Sequence, residues 1–110
     1  MTEQDKVLIA LTTCPSPEVA ERTASTLVAE GLAACVNRLP GLTSTYIWEG
    51  QVQNEAEVLL IIKTTSERFE VLKERLAALH PYELPELIAI PVCAGSERYL
   101  DWVRQNVGLK

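Results

Sequence analysis

This 110-residue sequence predicts an α+β sandwich, a sheet with helices laid on it. Three observations point there. Strand-like and helix-like runs alternate in the order β-α-β-β-α-β, and one more helix follows. Only short breaks separate the runs, with no internal repeat, linker or low-complexity segment. Two of the strand-like runs each hold one proline, Pro40 in the second and Pro91 in the fourth, and the other two hold none. Proline lacks the ladder donor and is confined to edges and bulges, so the second and fourth strands are expected at the edges.

The first run, KVLIALTT (Lys6 to Thr13), is continuously apolar and reads as a central strand. A helix opens after Cys14. Ser16 is a good N-cap, Pro17 fits the first helical position, and Glu18 and Glu21 suit the positive end of the dipole. Its apolar side is Val19, Ala20, Thr23, Ala24, Leu27 and Val28, small enough to lie close to a sheet, and Gly31 ends it. Ala33 to Trp48 reads as a long strand interrupted near Pro40-Gly41, Glu49-Gly50 as a hairpin turn, and Gln51 to Thr65 as a second long strand. Ser66 to Leu79 is an amphipathic helix with Phe69, Leu72, Leu76 and Leu79 on one face and Ser66 as its cap. Leu87 to Val92 is the fourth strand. Ser96 to Asn106 is a short last helix with Tyr99, Leu100 and Val103 turned inward. This is the split β-α-β order of ferredoxin-like folds, with strand order 4-1-3-2, on one domain spanning residues 1–110.

The β2–β3 hairpin is long for so small a chain. At about 3.3 Å per residue, strands of roughly 15 residues would reach about 50 Å. A globule of this size has a radius of gyration of about 13 Å. The hairpin must bend or protrude, and its tip carries Tyr46, Ile47 and Trp48. An exposed edge of that kind invites pairing with another chain, so a homo-oligomer held by edge-strand pairing is expected.

Composition narrows the function. The chain is 47% hydrophobic with a net charge of −5, and its charges are scattered. A scattered acidic surface argues against nucleic acid or an anionic membrane as partner, since both need a clustered positive face. No segment approaches the roughly 20 apolar residues of a membrane helix, and MTEQDKVLIALTT does not read as a signal peptide. Cys14, Cys35 and Cys93 are odd in number and widely spaced, which reads as a cytoplasmic protein with reduced thiols.

Several stretches together resemble the CutA family of divalent-cation tolerance proteins. They are LTTCPSPEVAERTASTLVAEGLAACVNRLPGLTSTYIWEG, EVLLIIKTT and LHPYELPELIAIPVCAGSERYLDWV, about residues 7 to 104. The resemblance implies a ferredoxin-like domain in a trimer like that of the PII signalling proteins. It implies a tie to tolerance of copper and other divalent cations, and no catalytic reaction. Some copper-binding relatives place a cysteine where this chain has Thr12 and a second histidine where it has Leu79.

The candidate metal ligands are His80, Cys14, Glu83 and Glu86, with copper or another divalent cation as the ion. His80 is the only histidine, and imidazole suits copper and zinc; it also reads as a cap whose charge favours the end of the preceding helix. Cys14 lies just before a helix N-cap, where a thiol becomes more acidic and reactive. Cys35 and Cys93 read as packing. Glu83 and Glu86 offer hard oxygens or form a solvated loop. Tyr46, Trp48, Tyr82 and Trp102 are candidates for a pocket or interface between subunits. Lys63 is a candidate partner for a carboxylate of the HPYE loop or for an anionic ligand. An acid–base pair of His80 and Glu83 has the right residue types, but no nucleophile motif accompanies it, and no phosphate-binding glycine loop is present. The expected reading is a non-enzymatic, trimeric cation-binding protein. The alternatives are a PII-like sensor with its ligand in an inter-subunit cleft and a structural trimeric scaffold.

Overall fold

In the computed structural model, which describes residues 5–108, seven elements follow in the expected order. They are β1 (Val7–Cys14), α1 (Pro17–Ala29), β2 (Cys35–Trp48), β3 (Gln51–Thr65), α2 (Phe69–Leu79), β4 (Ile88–Pro91) and α3 (Glu97–Gln105). The first four residues of the stretch considered as a signal peptide lie outside the described residues. The four strands form one sheet in the order β2-β3-β1-β4, every neighbouring pair antiparallel. This is the expected 4-1-3-2 order, with both proline-bearing strands at the edges.

Strand alternation gives the sheet two unlike faces. On one, Ala10, Cys14, Val58, Leu60 and Ile62 meet α1 and α2 through Ala20, Leu27 and Leu72. Small residues on α1 let it lie close. Its N-cap is as expected: Ser16 Oγ accepts from the Val19 N–H at 3.2 Å. On the other face, α3 covers only one end, where Leu100, Val103 and Val107 pack on Val7. Beyond it Ile88, Ile90 and Leu39 stay 45–52% exposed, an apolar surface that the described residues leave uncovered.

The hairpin protrudes, and the molecule measures 51 × 26 × 23 Å. Glu49 and Gly50 both take positive φ (52° and 78°), the two-residue turn whose twist matches antiparallel strands. Between Leu39 and Leu42 the pairing slips by one residue, and Gly41 sits at φ 89°. The slip reverses which residues of β2 face which way. Cys35, Asn37 and Leu39 share a face before it; Leu42, Ser44, Tyr46 and Trp48 share that same face after it, opposite Glu57, Glu55, Gln53 and Gln51 of β3.

Two local expectations are corrected. Ser66 does not cap α2, which begins at Phe69 with no side-chain cap. Ser66 Oγ instead accepts from the Lys6 N–H (3.2 Å) and donates to Asp5 (2.7 Å), tying the strand ends together. Tyr99 is not turned inward. It is 43% exposed and stacks on Trp102, ring centroids 5.7 Å apart, while Leu100 and Val103 fill the interface.

Candidate functional site

The segment between α2 and β4 crosses the end of β1, and side chains fasten it there. His80 takes an extended backbone (ψ 136°) as α2 stops, and Pro81 follows. Its ring is buried, with Nε2 2.7 Å from the Thr13 carbonyl and Nδ1 3.1 Å from the Tyr82 N–H. A carbonyl can only accept and an amide N–H can only donate. Nε2 therefore carries the proton and Nδ1 is the acceptor, which defines a neutral imidazole. Tyr82 lies against this ring at 4.7 Å between centroids. Its hydroxyl donates to Glu57 Oε2 at 2.8 Å. Four residues on, the Thr12 hydroxyl donates to the Glu86 carbonyl at 2.5 Å.

Between this fastened segment and the outer half of the hairpin lies a cleft of about 650 Å³. Tyr46, Ile47 and Trp48 form one wall, and Tyr82, Glu83, Leu84 and Glu86 the other. Glu57, Thr13, Ser44 and Thr45 complete the lining. The slip at Pro40-Gly41 puts Tyr46 and Trp48 on the sheet face that carries Glu57. Glu57 is 6% exposed, and among the described residues no Lys, Arg or His lies within ion-pair distance of it. Its negative field is felt by both tyrosines. Burial, then hydrogen bonding to Glu57 and the charge of Glu57, hold the Tyr82 hydroxyl far above the ordinary phenol range. Burial, then Glu55 and Glu57, raise that of Tyr46.

The sequence-derived candidates divide sharply. Tyr46, Trp48, Tyr82, Glu83 and Glu86 meet at the cleft. His80 supports it from behind, with both nitrogens engaged, and is no simple helix cap. Cys14 is fully buried on the opposite, helix-packed face, and desolvation pushes its thiol up to about 11. Its nearness to the α1 N-cap does not make it reactive, because β1 ends with this side chain turned into the core. Trp102 lies on α3 and stacks on Tyr99, away from the cleft lining. Lys63 donates to Asn37 Oδ1, beside Cys35, and does not meet the HPYE carboxylates. Among the described residues no three His, Cys, Asp or Glu side chains come together as a metal-holding group, so His80, Cys14, Glu83 and Glu86 do not form a coordination sphere within one chain.

Glu57 is the residue that sequence reasoning missed. The only signal was its place at the boundary of NEAE and VLLII, where a strand passes from solvent into the sheet. A second hollow, about 390 Å³ between α1 and β2, is bordered by the exposed pair Arg38–Glu21 at 3.8 Å and holds no aromatic side chain.

Residues 8–106 match the family model described as CutA1 divalent ion tolerance protein. The chain is 54% identical over 100 residues to the divalent-cation tolerance protein CutA of Thermus thermophilus, covering 91% of this chain and 97% of that one. It is 44% identical over 99 residues to the chloroplastic protein CutA of Arabidopsis thaliana, covering 90% of this chain and 54% of the relative, so it spans about half of that longer protein. The crystal structure of CutA1 from Oryza sativa superposes with a TM-score of 0.92 at 41% identity, covering 96% of each chain.

Proposed function

The chain belongs to the CutA1 divalent ion tolerance family, and from that premise we propose that it is a non-enzymatic, cytoplasmic homotrimer that meets cations at the acidic cleft. One observation carries the reading. The cleft presents Glu57, Glu83 and Glu86 and no Lys, Arg or His in its lining, so its field attracts cations and repels anions. The ferredoxin-like order leaves β2 and β4 as free edges, and Ile88, Ile90 and Leu39 form an uncovered apolar patch beside them. Edge-strand pairing of three copies would cover both. Three free cysteines suit a reducing compartment.

Copper is the ion that the family resemblance names. Within one chain the oxygens of Glu83 and Glu86 are open to it. His80 would have to give up one of its two hydrogen bonds, and Cys14 would have to leave the core. Carboxylate oxygens favour harder divalent ions over Cu(I), so binding of moderate strength and broad ion preference is expected. The test is calorimetric titration with Cu(II) and Mn(II), after sedimentation has shown a particle three times the 12.2 kDa chain mass. Neutralising Glu57, Glu83 and Glu86 together to glutamine should weaken both titrations at least tenfold. Unchanged binding would refute the cleft as the cation site, and a stable monomer would refute the assembly.

A second reading makes the cleft a small-molecule sensor on the same trimer. Its volume supports this, being of the size that takes organic ligands and far beyond a bare ion.

A further inference from the structure

Metal ions alone leave most of this cleft unexplained. Its volume of about 650 Å³ is many times the share of one water, and three of its lining side chains are aromatic. Tyr46 and Trp48 stand two apart on one face of β2, 39% and 42% exposed in the single chain, and both line the cleft. Tyr82 faces them from the segment before β4, locked by His80 at its backbone and by Glu57 at its hydroxyl. Glu57 is a carboxylate more than nine-tenths buried. Its Oε2 is engaged by Tyr82, and no described cationic side chain balances it. A carboxylate this buried is costly unless it is paired. Among the described residues no three metal-ligating side chains converge here, so a metal ion held at the Glu83 and Glu86 oxygens would leave the aromatic wall and the buried Glu57 without a partner.

Aromatic faces around a counter-charge are the chemistry that recognises alkylated ammonium groups. The ring quadrupoles attract the diffuse positive charge and the methyl groups fill apolar space. We propose that the cleft binds a small organic cation, an alkylated ammonium, held among Tyr46, Trp48 and Tyr82 with Glu57 as its counter-ion. The inference rests on the reading of the cleft as a cation site and names a ligand class for it. The carboxylates of Glu83 and Glu86 at the mouth would draw such a cation in and turn away phosphorylated or other anionic metabolites.

The probe is tetramethylammonium, added to the assembled, metal-free protein and followed by calorimetry and by Trp48 fluorescence. The control is neopentyl alcohol, close to it in size and shape but uncharged. Saturable binding of tetramethylammonium, at least tenfold tighter than the alcohol, is expected. Tyr46→Leu and Glu57→Gln should each weaken it roughly tenfold, the scale of a desolvated cation–π contact. Glutamine at 57 keeps an acceptor for the Tyr82 hydroxyl, and circular dichroism checks that each variant folds. No binding of tetramethylammonium, with divalent titrations still sensitive to the cleft carboxylates, overturns the organic-cation assignment and leaves the cation reading standing. Loss of both overturns both. Equal binding of the alcohol, or binding indifferent to the two substitutions, also overturns the assignment.

Discussion

Replacing His80 tests whether this imidazole is a structural clamp. His80→Ala removes two hydrogen bonds, the buried Nε2–H to the Thr13 carbonyl (2.7 Å) and the partly buried Tyr82 N–H to Nδ1 (3.1 Å), and leaves a ring-sized void. At about 1 kcal/mol net per bond, plus the lost packing, the cost comes to about 3 kcal/mol. For a chain of this length that lowers Tm by roughly 10 °C or more. The two conservative variants divide the effect. Glutamine can place an N–H near the Nε2 position and keep the Thr13 bond. Asparagine can place a carbonyl near Nδ1 and keep the Tyr82 bond. Each should recover about 1 kcal/mol. Urea unfolding at a fixed protein concentration is the assay, because an oligomer's apparent stability depends on concentration. If alanine falls within about 0.5 kcal/mol of the parent, the clamp is immaterial and the imidazole is free for other work.

Two further predictions concern titration. Cys93 is exposed, Cys35 half-buried and Cys14 buried, so an aromatic disulfide reagent at pH 8 should label them in that order, read by peptide mass spectrometry. With its thiol pushed up to about 11, Cys14 is almost wholly protonated at pH 8, and its labelling should rise only as pH nears that value or as the protein unfolds; labelling as fast as Cys93 in the folded state would contradict its placement. Asp5 is pushed up by partial burial, but hydrogen bonds that include those from Ser66 Oγ and the Glu67 N–H outweigh this and lower its carboxyl. Its contribution to stability is therefore present above about pH 4 and lost as pH falls below it, and Asp5→Asn should remove that part of the acid limb of a urea-midpoint-against-pH curve.

Much of the architecture was legible because it rests on local signals. KVLIALTT is apolar on both parities, as a central strand must be. Pro40 and Pro91 marked the edges, and Ser16-Pro17 and Glu49-Gly50 each specify their own backbone. The α2 start was misread because Ser66 had a competing partner 61 residues away in Asp5, which no local rule can see. Tyr46, Trp48, Tyr82, Glu83 and Glu86 were legible as chemistry-bearing residues, though their convergence depends on a one-residue slip in β2. Cys14 went astray because proximity to a helix N-terminus in sequence does not fix which side of a strand its side chain leaves. Glu57 was hidden because a charged residue in the polar half of a protruding strand is ordinarily solvated. Its hydrogen-bond partner, Tyr82, lies 25 positions along.

The irregularity at Pro40-Gly41 sets a rule for how this chain can change length. Outward of it, the direction in which Tyr46 and Trp48 project is set by their partners on β3, Gln53 and Gln51, and the extra residue in β2 absorbs the mismatch with the base of the strand. Deleting Gly41 would let Leu39, Pro40 and Leu42 oppose Leu59, Val58 and Glu57 in regular alternation, with the turn at Glu49-Gly50 and both aromatic rings kept on the same side of the ribbon. Lengthening the ribbon between Glu57 and Gln53 by one residue on each strand would turn both rings away from Glu57, and two on each would restore them. A lone one-codon loss at Gly41 should therefore leave the cleft's aromatic wall in place, whereas changes that lengthen both strands together should come in even steps on each strand.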